Sequence, residues 1–202
     1  MAEMMHHPLR LAAALLMCVL PLAACGSSNE AQQVFPEATA SPTARQLGEG
    51  TFATADNADR TDVDSTAEVT ALMLHSWDTA SDRTETAAAI RTQSLMSPDW
   101  AAHQVEPERN AAGAPWLTAA QHESYSTPTI VPVHGDINQD IAPDKAIRAY
   151  TVEWAWNTRD GATIHEMDRR QVTLYLEEGD GQWEVVGHQS LDMGYAQQVD
   201  GR

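Results

Sequence analysis

The chain has 202 residues, with 12 Lys and Arg against 29 Asp and Glu, for a formal net charge of −17. A pI near 4.6 argues against nucleic-acid binding and against a polybasic grip on anionic lipid, because both need concentrated Lys and Arg. Two cysteines, in a chain long enough to bury a real core, do not make a disulfide scaffold.

Residues 1–24 read as an export signal. Arg10 gives a weakly basic start, and the stretch from Leu11 to Ala24 is apolar save for Pro21. That run is shorter than the roughly 20 residues a membrane-spanning helix needs, and it fits the hydrophobic region of a signal peptide. Leu22-Ala23-Ala24-Cys25 resembles the lipobox of bacterial lipoproteins. The resemblance implies that Cys25 receives a diacylglyceryl group and becomes the new N-terminus, which anchors the protein to the outer face of the cell membrane. An ordinary secretory signal ending by chance in cysteine is the alternative. With Cys18 removed and Cys25 acylated, the exported chain has no free thiol and no disulfide.

Residues 25–61 are rich in Ser, Thr, Ala, Gln, Glu and Pro, and read as a disordered tether with Phe35 and Phe52 as isolated aromatics. About 35 such residues reach roughly 30–35 Å. The folded domain is expected over 62–202.

Its first helix is expected over 65–80. Ser65 and Glu68 have capping-box spacing, and Val69, Leu72, Met73 and Trp77 share a face. Asp82 is expected to cap a second helix ending near Met96. Ser97-Pro98 reads as the cap and first position of a third, with Trp100 facing inward. One or two further helical turns are expected over 115–120.

The period changes near Tyr125. Thr129 to His134 reads as a strand that Pro132 confines to an edge or a bulge. A long strand is expected over 146–158, with Tyr150, Val152, Trp154 and Trp156 on one face. Turns at Arg159-Asp160-Gly161 and Glu178-Gly179-Asp180-Gly181 divide it from strands over 163–177 and 182–188.

Helices first and hairpins afterwards predict an α+β domain, with N-terminal helices packed on a curved antiparallel sheet of three to four strands. That order resembles the NTF2-like, cystatin-like cone. The passage from Trp77 to Thr86 and on through Leu95-Met96-Ser97-Pro98 is similar to a stretch in exported NTF2-like domains of GC-rich Gram-positive bacteria. Those domains resemble VirB8-type transfer-system proteins and Mce-associated proteins. The resemblance implies a role beside other envelope proteins.

Catalytic motifs are sparse. There is no phosphate-cradling glycine loop and no Gly-x-Ser-x-Gly. His165-Glu166-Met167-Asp168 lacks the second histidine of a zincin, since Arg169 stands there. Asp136, Asn138 and Asp140 alternate as calcium ligands do, without the glycine and glutamate of an EF-hand, and read as a polar turn. No metal and no cofactor is expected. Tyr150, His165, Asp168 and His188 are the strand residues that could serve a cone enzyme resembling SnoaL or ketosteroid isomerase, but no spacing among them demands it.

The aromatic set Trp77, Tyr150, Trp154, Trp156 and Trp183 is expected to be either core or a lined pocket. The expectation is a non-catalytic, membrane-anchored accessory lipoprotein that assembles with other envelope proteins of a transfer or transport system. The alternatives are a module holding a small apolar ligand among these aromatics, and the acid–base enzyme.

Overall fold

The computed structural model describes residues 45–110, 112–164 and 168–193. The signal segment, Cys25, Phe35 and His165 lie outside the described residues. Among the described residues no helix is long and apolar enough to cross a membrane.

The domain is α+β, and among the described residues four α-helices precede one open antiparallel sheet. The helices are α1 (Val63–Leu74), α2 (Thr86–Arg91), α3 (Pro98–Ala101) and α4 (Ala114–Gln121). The strands are β1 (Tyr125–Pro132), β2 (Gln139–Ala142), β3 (Lys145–Asn157), β4 (Asp168–Gly179) and β5 (Gln182–Asp192). They run in the order β1-β3-β4-β5, and β2 pairs with the start of β3 beyond the end of β1. The sheet therefore has five strands rather than three or four. The additional one, β2, comes from the stretch expected as a polar turn around Asp140.

Alternation fixes which face of the sheet is buried. Tyr150, Val152, Trp154 and Trp156 of β3 and Val172, Leu174 and Leu176 of β4 all point to one side and join the main core. Helix α1 lies on that side, in contact with β1, β3, β4 and β5. Its small residues Ala67 and Ala71, with Leu74, face the sheet, while Val69 and Met73 meet Leu95 in a second cluster. Thr66 and Thr70 are buried between these faces and satisfy their hydroxyls on carbonyls four residues back, Asp62 and Thr66.

Helix boundaries differ from the sequence reading for identifiable reasons. Asp62, not Ser65, caps α1, accepting from Ser65 N at 2.7 Å. The Ser65 hydroxyl accepts instead from Asp59 N. The helix stops at Leu74, and Trp77 follows it in irregular chain beside an isolated bridge from Asp78 to Tyr125. Asp82 does not cap α2, because its carboxylate accepts from Asp78 N at 2.8 Å and pairs with Arg91. Ser97 does cap α3, with Pro98 at its first position, and accepts from Trp100 N.

Strand β4 is described from Asp168, residues 163 and 164 of the expected strand are irregular, and Gly161 in the turn after β3 has φ of 80°. The β4–β5 turn is tight. Asp180 and Gly181 both take positive φ, 55° and 74°, which suits the right-handed twist of the flanking strands. β5 runs to Asp192, past a bulge opposite Tyr175 and Leu176.

The stretch 45–61, expected as tether, is packed on the domain. It forms short 3-10 turns at Leu47–Gly50 and Ala55–Asn57. Phe52, read in the sequence as an isolated aromatic of the tether, sits edge-on to Tyr125 at 6.5 Å and beneath the Arg91 guanidinium at 6.0 Å. Ala53, Ala55 and Ala58 pack against the Val69, Met73 and Leu95 cluster.

Candidate functional site

The five aromatics singled out in the sequence are all buried in the main core, but they do not line one cavity. Trp77, Trp154 and Trp156 form a cluster. Trp77 meets Trp154 edge-on with centroids 5.1 Å apart and stacks on Trp156 at 6.2 Å. Trp116, from α4, adds an edge-on contact to Trp156 at 6.1 Å. The Arg170 guanidinium lies over both Trp77 and Trp154, at 5.6 and 5.3 Å.

Tyr150 is separate from this group. It borders a different depression with Asp64, Glu68 and Arg148. Burial pushes its hydroxyl pKa well up, and the charges of Glu68 and Asp64 add to that. Trp183 lies near the β4–β5 turn, where its backbone N–H donates to Arg60 O at 2.7 Å.

A recess of about 590 Å³ opens beside the tryptophan cluster. Trp116, Trp154 and Trp156 wall it, and Arg109, Asp168 and Arg170 stand among its polar groups. Arg170 is held by Glu85 at 2.5 Å and by Asp192 at 2.5 Å. The indole Nε1 atoms of Trp154 and Trp156 are buried and have no hydrogen-bond partner among the described residues. The Trp77 Nε1, by contrast, donates to Glu85 O at 2.9 Å.

The candidate acid–base residues do not gather. Of Tyr150, Asp168 and His188, only Asp168 borders the recess. His188 accepts from Trp100 Nε1 at 3.1 Å through its Nδ1, and burial lowers its pKa. His165 and Glu166 lie outside the described residues. Two residues of the calcium-like triplet are committed elsewhere: Asn138 accepts from Ala149 N and donates to Val133 O, and Asp140 pairs with Arg148 at 2.8 Å. Among the described residues, no group of three or more His, Cys, Asp or Glu is placed to hold a metal ion.

Two buried ionisable groups escaped the sequence reading. His75 is 2% exposed, its Nδ1–H donates to Ala71 O at 2.9 Å, and its ring lies edge-on to Trp77. Burial pushes its pKa down to about 4, so it is neutral at pH 7. Asp78 is fully buried and receives both guanidinium nitrogens of Arg159 at 2.8 Å, together with Gly48 N at 2.9 Å. Burial alone would raise its pKa. The Arg159 pair and the N–H donors of Gly48 and Ala80 overcome that and hold it below the usual value. Arg159 also pairs with Glu49 at 2.7 Å and covers the Tyr125 ring at 5.1 Å. The partners Asp78 and Arg159 stand 81 positions apart, and no local pattern announces such a pair.

The fold and site thus define an α+β domain with a filled inner face and one aromatic-walled recess. No protein family, curated protein or solved structure matches the chain.

Proposed function

We propose that the protein is a membrane-anchored, non-catalytic accessory lipoprotein that serves as an interaction module among envelope proteins of a transfer or transport system. The lipobox Leu22-Ala23-Ala24-Cys25 supports an anchor on the outer face of the cell membrane through lipidated Cys25. The order of helices and strands supports the NTF2-like form of the α+β class.

One observation carries the assembly reading: the two faces of the sheet differ. The inner face is filled by packed side chains, whereas the outer face buries only Ala149 among its described residues. The middle of that outer face is uncharged, formed by Ile147, Thr151, Gln171, Thr173 and Tyr175, in a chain of net charge −17. Its nearest charges are paired with each other, Lys145 with Glu177 and Arg169 with Glu153. An uncharged patch on a strongly acidic protein is a surface on which a partner meets no unpaired charge to desolvate.

Gentle crosslinking and affinity recovery from detergent-solubilised membranes tests this reading. The expected result is co-recovery of a defined envelope protein, lost when the outer face is altered; recovery of the lipoprotein alone overturns it. Cys25→Ser should move the protein out of the membrane fraction.

The recess favours a second reading, a module that holds a small apolar ligand. Its volume lies within the usual range of small-molecule sites, and three indoles wall it.

A further inference from the structure

We infer that the recess beside Trp116, Trp154 and Trp156 binds a small organic anion with a flat apolar body, its anionic group held by Arg109. The inference deepens the ligand-binding reading and rests on it.

The walls argue for a flat apolar body. Indole faces and edges favour offset or edge-on contact with another planar group, and here three indoles come together at one opening. Two indole donors of the wall have no acceptor among the described residues. Trp154 is 4% and Trp156 8% exposed, yet neither Nε1–H finds an acceptor among the described residues. Buried indole N–H groups are ordinarily paired, and Trp77, in the same cluster, has its partner. Both Nε1 atoms are out of solvent contact, so a ligand in the recess reaches them only if an indole turns toward it.

The sign of the ligand's charge follows from which groups are already engaged. Glu85 and Asp192 are taken up by Arg170. Asp168 is itself engaged. Arg169 faces Glu153 at 3.7 Å. Arg109 is exposed at the recess and makes no ion pair or hydrogen bond among the described residues. Arg170 carries one charge against the two of Glu85 and Asp192, so what marks the anion's place is Arg109, the cation of the described lining that has no partner among the described residues. A carboxylate meets that guanidinium in the fork geometry that suits it.

Calorimetric titration of the full chain with 2-naphthoate and with its neutral counterpart 2-naphthylmethanol tests the inference. The carboxylate is expected to bind at least about tenfold tighter, in line with a charge-assisted hydrogen bond. Arg109→Gln should remove most of that advantage while leaving the alcohol's affinity and the thermal melt unchanged, since Arg109 is exposed and unpaired. Equal affinity for the two compounds, or a carboxylate preference that survives Arg109→Gln, overturns the anion assignment and leaves an apolar site standing. Binding of neither compound at millimolar concentration overturns both the assignment and the ligand-binding reading.

Discussion

At the residue scale, the costliest features are the buried polar groups, and each has a distinct signature. Asp78 and Arg159 form a buried pair whose removal on one side strands the other charge. Breaking such a pair costs about 3–5 kcal/mol, so Asp78→Asn should lower stability in urea by about 3 kcal/mol. Glu49→Gln, which touches the same guanidinium from a half-exposed side chain, should cost less than about 1 kcal/mol. Equal losses in the two variants would show that burial of the pair does not matter.

His75 acts over a different pH range. Its pKa is about 4 folded and 6.5 in a model peptide, so the unfolded chain takes up a proton that the folded chain resists. Stability from this group is complete above pH 6.5 and falls as pH drops toward 4, by about 3 kcal/mol in all. Asp78, whose pKa is lowered below 3.8, contributes stability that is lost only at still lower pH. Urea midpoints at pH 7, 5.5 and 4.5 should therefore decline before the Asp78 carboxylate titrates. His75→Gln, which keeps a donor for Ala71 O, should flatten that decline. A wild-type profile already flat between pH 7 and 4.5 rules the mechanism out.

At the element scale, the segment 45–61 behaves as a strap, and Gly48 sets its path. Gly48 has φ of 53°, and an added Cβ would fall 2.2 Å from the Phe52 ring. Gly48→Ala thus brings both backbone strain and a clash with the side chain that fastens the strap. The expected result is a loss of about 2 kcal/mol, with faster hydrogen exchange confined to the strap and the sheet amides unchanged. Uniformly faster exchange would mean that the strap and the sheet open together. The strap also shows how far local pattern reaches. Its Ala-, Thr- and Gly-rich composition resembles a linker, because what holds it lies elsewhere in the chain: Asp78, Tyr125, Glu123 and Arg159. Strand β3 was legible because period-2 alternation of large apolar residues is a local signal. The short β2, with three exposed residues of its four, carries no such signal and pairs only because β3 outruns β1. The recess follows the same division. Its tryptophans could be read from β3, while Arg109 and Trp116 reach it from a loop and a helix whose placement no periodicity encodes.

At the scale of the whole molecule, the distribution of charge matters more than its sum. Net charge of −17 keeps like molecules apart and favours solubility, yet the middle of the sheet's outer face carries no charge between its two terminal ion pairs. A sheet face left uncovered by helices usually reads polar and charged when water is its only neighbour. Here Thr151, Gln171, Thr173 and Tyr175 are only partly exposed, and Leu191, 66% exposed, extends the patch on β5. Placing charge in the middle of this face separates its two possible roles. Thr173→Lys with Gln171→Glu keeps the net charge and disturbs no ion pair among the described residues, so the monomer's stability should change by less than about 0.5 kcal/mol. If the face docks a partner, each buried charge opposes association, and capture of that partner from solubilised membranes should fall at least about tenfold. Undiminished capture by a stably folded double variant would move the interaction off this face and leave the recess as the functional surface.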